Sequence, residues 1–306
     1  MARDVYRRAP RRRAQRGSVR PARAGGDAAL LRLPAALPLS DQSHLASSPP
    51  HTAQPRADDP AAIARFYDRF WRPENRATIE EHDFHTFQHD VDAALAWILR
   101  DGGGLTGARV MEIGPGRGRD TLWLAHCGAR VTAIDVSIES VRAAREHLRA
   151  HDLGHRYDAV VADVAHLPFR NEAFDITLSR FVVAHVDRRA MTPELHRVLC
   201  ENGRAVLVEP LAHNPLVALY RRFSAHGCRE TSPRYLTYGE ILTMARQFAR
   251  GVRHRGFYLI SPLALALRGT PLFRPVGHLL TMMELPATLW SPVRRFCWII
   301  VAEFRK

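Results

Sequence analysis

Cysteine is scarce. The 306 residues contain four, Cys127, Cys200, Cys228 and Cys297, widely scattered and without a C-x-x-C pair, so neither a zinc site nor a disulfide framework is indicated. Unpaired thiols of this kind fit a reducing cytoplasm. Long apolar runs are missing too. The most apolar stretch, 257–298, is cut by Arg268, Pro271, Arg274 and Pro275, well short of the roughly 18 to 20 continuous apolar residues that a membrane span requires. The N-terminal arginines are not followed by an apolar core long enough for a signal peptide. Acidic residues are outnumbered, 31 against 44 Lys and Arg, for a net charge of +13. That excess would point to nucleic acid if it were spread over the chain, but it is not. Residues 1–26 hold nine arginines against Asp4 and so supply eight of the thirteen charges.

The arginine-rich tail and the Pro/Ser/Ala-rich stretch that follows have no apolar periodicity and cannot bury enough surface to offset the entropy of ordering. Three functional readings of the tail stay open: nucleic-acid binding, attraction to anionic lipid, and organelle targeting. The expectation is a solvated, disordered extension over 1–59, with nucleic acid not the expected partner and the folded chain starting near Pro60. The remainder, in a chain that is 46% hydrophobic, suffices for one large α/β domain.

What the chain does have is a strand, a glycine loop, a helix, a second strand and an acid, over residues 109–137. Val110 to Ile113 is a short apolar run interrupted only by Glu112. It breaks into Gly114-Pro115-Gly116-Arg117-Gly118, continues as a helical Asp120 to Cys127, and resumes as Val131 to Ile134, ending in Asp135. Glycines let the backbone turn sharply and approach a ligand closely, and a carboxylate at the end of the second strand can accept hydrogen bonds from both hydroxyls of a ribose. A dinucleotide fingerprint needs G-x-G-x-x-G, but its third glycine is Arg119 here. The glycines alternate instead, and Glu112 suits a ligand with a positive amino group better than a pyrophosphate.

This stretch resembles the class I S-adenosylmethionine-dependent methyltransferases, whose first motif reads acid-x-G-x-G-x-G. The resemblance implies S-adenosyl-L-methionine as cofactor, held by Glu112, Gly114, Gly116 and Gly118 at the methionine end and by Asp135 and Val136 at the ribose. It further implies that Asp163, after a third strand at Ala159 to Ala162, accepts from the adenine amine while the Val164 N–H donates to the ring. The competing reading of Asp163 is a helix N-cap. Ser179, in a Ser179-Arg180 pair at the tip of a fourth strand (Phe174 to Leu178), is expected to border the transferred methyl. Phe181-Val182 after it disfavours the amino-group methyltransferases, which place Pro-Pro-aromatic there.

Beyond Asp163, Thr192-Pro193 has the order of an N-cap and first-turn proline, opening a helix through Leu199 that stops by Gly203. A fifth strand, Ala205 to Val208, ends in Glu209-Pro210. Residues 211–306 are expected to carry a lid over the substrate, a helix at Thr237 to Phe248, and strands at Val252 to Ile260 and Phe296 to Phe304. The expected architecture is thus α/β, a doubly wound and mostly parallel seven-stranded sheet of the Rossmann-like methyltransferase kind with a helical lid or insertion. In domain terms, 1–59 is the extension and 60–306 the methyltransferase domain. Within it, 60–100 is a helical cap, 105–210 the cofactor core and 211–306 the lid and last strands.

Two residues are candidates for chemistry. His185, in VVAHVD, could act as a general base or pack at the crevice wall. Tyr67, on an amphipathic helix at 60–71, pairs with Asp68 as a candidate lid over the methionine end, or simply packs. His82, His85 and His89 have helical spacing that could hold a metal, but no thiolate or carboxylate pattern accompanies them and no metal is expected. The expected reaction is methylation of a small or lipophilic acceptor, at oxygen by preference. A nicotinamide-dependent oxidoreductase and a non-catalytic protein of the same fold are the alternatives. Residues 257–298 either close the core or rest on a membrane surface.

Overall fold

The computed structural model describes residues 59–72, 89–101, 104–224 and 233–306. Among them, seven strands build one sheet: β1 (Arg109–Ile113), β2 (Arg130–Asp135), β3 (Tyr157–Val161), β4 (Phe174–Arg180), β5 (Leu199–Pro210), β6 (Val252–Phe257) and β7 (Ile299–Arg305). Their order is β3-β2-β1-β4-β5-β7-β6. The first five run parallel, and β7 is antiparallel to both β5 and β6. The sheet is therefore the expected doubly wound, mostly parallel one. After β3 the chain crosses back over β1 to lay down β4 on its other side, and a crevice opens at the carboxyl ends of β1 and β4, where the winding reverses.

The helices are α1 (Pro60–Phe70), α2 (His89–Arg100), α3 (Arg119–His126), α4 (Ile138–Arg149), α5 (Arg188–Val198), α6 (Pro215–Ser224), α7 (Tyr238–Ala245), α8 (Phe273–Leu289) and the one-turn α9 (Ser291–Arg294). Alternate residues of the central strands enter opposite cores, as the period of two demands. Val110, Ile176, Val206 and Val301 meet Val91, Leu95 and Leu99 of α2 and Leu124 of α3. Met111, Ala205 and Ile300 meet Met191 and Leu195 of α5 and Ile241 and Met244 of α7. Starts are locally encoded. Asp59 accepts the Ala61 and Ala62 N–H groups at 3.0 and 3.2 Å ahead of Pro60, and Thr237 with Glu240 forms a reciprocal capping box on α7.

Several expectations are corrected. Thr192-Pro193 does not open a helix: Asp187 caps the Arg189 N–H five residues earlier, Pro193 lies inside α5, and the Thr192 hydroxyl donates to the Arg188 carbonyl at 2.7 Å. The helix ends at Val198, and Leu199 to Gly203 belong to β5, which pairs Leu199 with Phe174 before a bulge resets the register at Ile176 and Arg204. Ser179 and Arg180 are the last two residues of β4, at its carboxyl tip as expected. The expected lid after Asn214 is described only as α6; residues 225–232 lie outside the described residues.

Arg204 ties the carboxyl end of α2 to the antiparallel half of the sheet. Its buried guanidinium donates to the carbonyls of Ile98 (2.7 Å) and Leu99 (3.2 Å) and pairs with Glu303 at 3.3 Å. Removing it leaves carbonyls at a helix end without donors and a fully buried carboxylate with weaker pairing. Arg204→Ala is expected to lower unfolding free energy by about 2–4 kcal/mol, measured by urea denaturation; a loss below about 0.5 kcal/mol would show that water replaces the guanidinium.

Candidate functional site

The crevice begins where β1 stops. Gly114 donates its N–H to the Ile134 carbonyl at 2.8 Å in a left-handed conformation (φ 69°), and a Cβ there would lie 2.3 Å from a Val182 methyl. Gly116, next in the loop, passes beneath the ring of Trp71, 3.1 Å from where its Cβ would be. Gly118 precedes the first turn of α3. A Cβ at Gly114 would collide with Val182, and one at Gly116 would require the Trp71 ring to give way.

Glu112, two residues before the loop, is 4% exposed. It takes the Thr121 hydroxyl as a donor. Burial first, and then the charge of Asp120, push its carboxyl up to about 8, so it is largely protonated at neutral pH. Across the loop, Arg180 at the end of β4 bridges Asp92 of α2 at 2.8 Å and Asp120 of α3 at 2.7 Å. The methionine end expected from sequence is thus ringed by a buried carboxyl and an ion cluster of Arg180, Asp92, Asp120 and Arg119, the last also paired with Asp92.

Asp135 ends β2 with one carboxylate oxygen accepting the Ser137 N–H at 2.9 Å and the other the Ser140 hydroxyl at 2.5 Å. Burial raises it to about 6. Beside it lies an open cavity of about 240 Å³ lined by Val136, Val161, Ala162 and Asp163 and by Pro60, Ala61 and Ala64 of α1. The Asp163 carboxylate accepts the Ala165 N–H at 2.9 Å in an Asx turn, with no helix following, so the N-cap reading is set aside. Val164 is buried in the core beside it.

Helix α1 straps this edge at three points. Asp68 accepts the Ser137 hydroxyl at 2.7 Å and the Glu139 N–H at 3.3 Å, at the amino-terminal end of α4, where a carboxylate meets free donors and the positive end of the helix dipole. Trp71 covers Gly116. The Tyr67 hydroxyl lies 3.3 Å from Nε2 of His185, with the rings edge to face. His185 is held in a short turn, its N–H donating to the Val182 carbonyl at 2.8 Å. Burial pushes its imidazole down to about 4, so it is neutral at physiological pH. Among the described residues its Nδ1 has no hydrogen-bond partner.

Ser179 is the expected site residue placed differently. It is fully buried, and its hydroxyl lies 3.1 Å from Glu209 on β5 instead of facing the crevice. The same oxygen of Glu209 accepts the N–H groups of Val182 and Val183 at 3.1 Å, and burial raises this carboxyl to about 7. Glu209 therefore shapes the turn that carries His185. The sequence marks Glu209 only as a strand end and does not single out Trp71, while the Ser179-Arg180 pair is placed on the crevice edge without the ion pairs of Arg180. The available signal was a charged residue at the carboxyl end of an otherwise apolar strand, for both Arg180 and Glu209. Of the three histidines weighed as metal ligands, His82 and His85 lie outside the described residues and only the backbone of His89 is described.

Residues 111–207 match the methyltransferase domain family. The chain is 31% identical over 112 residues to the methyltransferase GfsG of Streptomyces halstedii, a match spanning 36% of this chain and 40% of that protein. It is 27% identical over 207 residues to a ubiquinone biosynthesis O-methyltransferase of an Azoarcus species, spanning 66% and 84%. In fold it is similar to the crystal structure of geranyl diphosphate C-methyltransferase from Streptomyces coelicolor, with a TM-score of 0.51 at 16% identity over 71% of this chain and 80% of that one.

The buried carboxyls make stability depend on pH with a definite sign. Glu112 in the folded chain holds a proton up to about 8, far above an unfolded carboxyl, so its contribution is complete at low pH and is lost as pH rises toward 8. Asp135 and Glu209 act in the same direction but finish near 6 and 7. Buried His185 acts oppositely, between about 4 and the unfolded imidazole value of roughly 6.5. Between pH 7 and 8, Glu112 is the main contributor among these groups. The melting temperature of the ligand-free protein is expected to fall over that interval, and Glu112→Gln to remove most of the fall. Equal slopes in the two proteins would place the titration elsewhere.

Proposed function

Because the chain belongs to the class I S-adenosylmethionine-dependent methyltransferases, we propose that it methylates a hydroxyl oxygen of a small or lipophilic acceptor, with His185 as general base. The observation that carries this reading is the neutral, buried imidazole at the crevice wall, within 3.3 Å of Tyr67 on the strap. The Azoarcus relative, named as an O-methyltransferase, favours the same acceptor atom. With the methyltransferase match, a nicotinamide-dependent oxidoreductase has no support.

The residues present fit the cofactor. Three left-handed glycines crowded by their neighbours, a buried carboxyl beside them and a cavity of about 240 Å³ at the next strand ends suit methionine, ribose and adenine in turn. In this reading Glu112 ionises against the ammonium, Gly114, Gly116 and Gly118 admit the methionine backbone, Asp135 and Val136 hold the ribose, and Asp163 and Val164 hold the adenine. Ser179 acts from behind, through Glu209. Bound S-adenosylmethionine supplies a methyl made electrophilic by the adjacent sulfonium.

The protein's own share is alignment, exclusion of water and removal of one proton. The strap lies over the loop, with Tyr67, Asp68 and Trp71 as its contacts, and holds the acceptor oxygen on the line of displacement, where effective concentration lowers the barrier. As that oxygen bonds to carbon, its proton passes to the Tyr67 hydroxyl oxygen as that hydroxyl gives its own proton to Nε2 of His185, 3.3 Å away. A base already neutral is ready throughout the physiological range.

Two measurements test this. Asp135→Ala is expected to weaken S-adenosylmethionine binding by about 1–3 kcal/mol through two lost hydrogen bonds; unchanged affinity by calorimetry would remove Asp135 from the site. For catalysis, the protein is incubated with S-adenosylmethionine and a panel of hydroxylated acceptors, and products heavier by one methylene are sought by mass spectrometry. His185→Ala is expected to lower turnover by roughly 10²- to 10⁴-fold while cofactor affinity holds. Full turnover in that variant would exclude the imidazole as base. An absence of methylated product with every acceptor class, despite cofactor binding, would favour a non-catalytic protein of the same fold.

A further inference from the structure

The segment between β6 and β7 leaves and re-enters the sheet at the crevice edge. Phe257, the last residue of β6, pairs with Ile299, the first of β7, and Ile299 pairs with Pro210 at the carboxyl end of β5. Residues 258–298 are thus an excursion from the edge where the glycine loop lies. Their main element is α8, which is apolar on its outward face as well as on the face it packs, unlike an ordinary surface helix. The face turned to the protein carries Phe273, Gly277, Glu284 and Thr288, all buried. The Glu284 carboxylate accepts the N–H groups of Ile260 and Ser261 at 2.6 and 2.9 Å.

The face turned outward carries Leu279, Met282 and Met283, with Leu272 just before the helix and Leu289 and Trp290 at its end. Met282 is 73% and Trp290 66% exposed. Phe273 and Leu280, by contrast, pack into or against the core. Arg274 is the one exposed charge on α8, and it sits in the first turn.

The charge around this face selects its occupant. Residues 258–298 contain four arginines, Arg268, Arg274, Arg294 and Arg295, and one acid, the buried Glu284. Arg294 donates to the Leu289 and His254 carbonyls at 2.7 and 3.2 Å and fixes the helix end, whereas Arg274 and Arg295 are exposed. A second copy docked on this face would bring arginines together with no exposed acid from the segment between them. An anionic bilayer offers phosphates at the rim and hydrocarbon beneath. At 17 residues and roughly 25 Å, α8 suits lying in the interface, and among the described residues no helix is long and apolar enough to cross a membrane.

We infer that the outward face of α8, from Leu272 to Trp290, is a docking surface for anionic membrane, flanked by Arg274 and Arg295, that presents the crevice edge to the lipid. The inference stands on the face itself and does not depend on which acceptor is methylated. The sequence reading left membrane contact and core closure open for 257–298; the two are divided between opposite faces of one helix.

The test uses the full chain with vesicles of phosphatidylcholine containing phosphatidylglycerol, some prepared with brominated acyl chains that quench inserted tryptophan. The protein is expected to sediment with these vesicles, and its fluorescence to be quenched. Trp290→Phe should still sediment but lose most of the quenching. A combined Leu279→Ser, Met282→Ser and Met283→Ser variant, altered only at exposed positions and checked for an unchanged circular dichroism spectrum, should partition at least roughly tenfold less. Three results would overturn the inference. One is no sedimentation. Another is sedimentation with quenching equal in Trp290→Phe and partitioning unchanged in the triple variant, which assigns binding to the arginines of residues 1–26. The third is a dimer in sedimentation velocity that the triple variant dissociates, which makes the face an interface between copies.

Discussion

Three carboxyl groups, Glu112 and Glu209 buried and Asp135 partly so, lie at the carboxyl ends of neighbouring or near-neighbouring strands, and the crevice is organised by how their oxygens are satisfied. Burial of this kind is costly for a charged group and tolerable for one that is protonated or amply hydrogen-bonded. Glu209 uses its neighbours' N–H groups to bend the chain after β4 and so positions the turn bearing His185. Asp135 turns its oxygens onto the start of α4. Glu112 has the least compensation, a hydroxyl from Thr121 and the more distant charge of Arg180. An acid held protonated by lack of solvent, beside a loop that admits backbone, is poised to ionise when a cation arrives.

The strap α1 depends on the same edge. Asp68 meets the donors at the start of α4 that Asp135 leaves unfilled, Trp71 reaches Gly116 because that residue has no side chain, and Tyr67 reaches His185 because Glu209 holds the turn in place. Four distant parts of the chain, near residues 68, 116, 137 and 185, are brought together, and the strap's own contacts lie outside the hydrophobic core clusters. Such contacts open at lower free energy than core packing, which suits an element that must admit a cofactor and an acceptor.

The strands and most helices were legible because apolar runs of four to six residues alternated with amphipathic ones, and because Gly114 to Gly118 marks a turn that few other sequences make. The misreadings have local causes. Thr192-Pro193 looked like a helix start, but the aspartate at position 187 already satisfies the first-turn donors, and the proline lies inside the helix. Leu199 to Gly203 looked like a helix end because Asn202 and Gly203 break patterns; Asn202 takes a left-handed φ of 64° within the strand instead. Ser179 looked like a crevice residue from its place at a strand tip, yet side chains alternate along a strand, and its hydroxyl falls on the side of Glu209. The Arg180 cluster and the Trp71 contact join residues tens of positions apart, which no local pattern encodes.

The central claim is that the buried Glu112 carboxyl receives the positive amino group of S-adenosylmethionine. Titration calorimetry at pH 7, repeated in buffers of different ionisation enthalpy, counts the protons exchanged on binding. With its carboxyl held near 8 in the free protein and ionised in the complex, the wild-type chain is predicted to release roughly one proton per cofactor bound, and Glu112→Gln almost none. Binding of the wild type without proton release, or release undiminished in Glu112→Gln, would contradict the account.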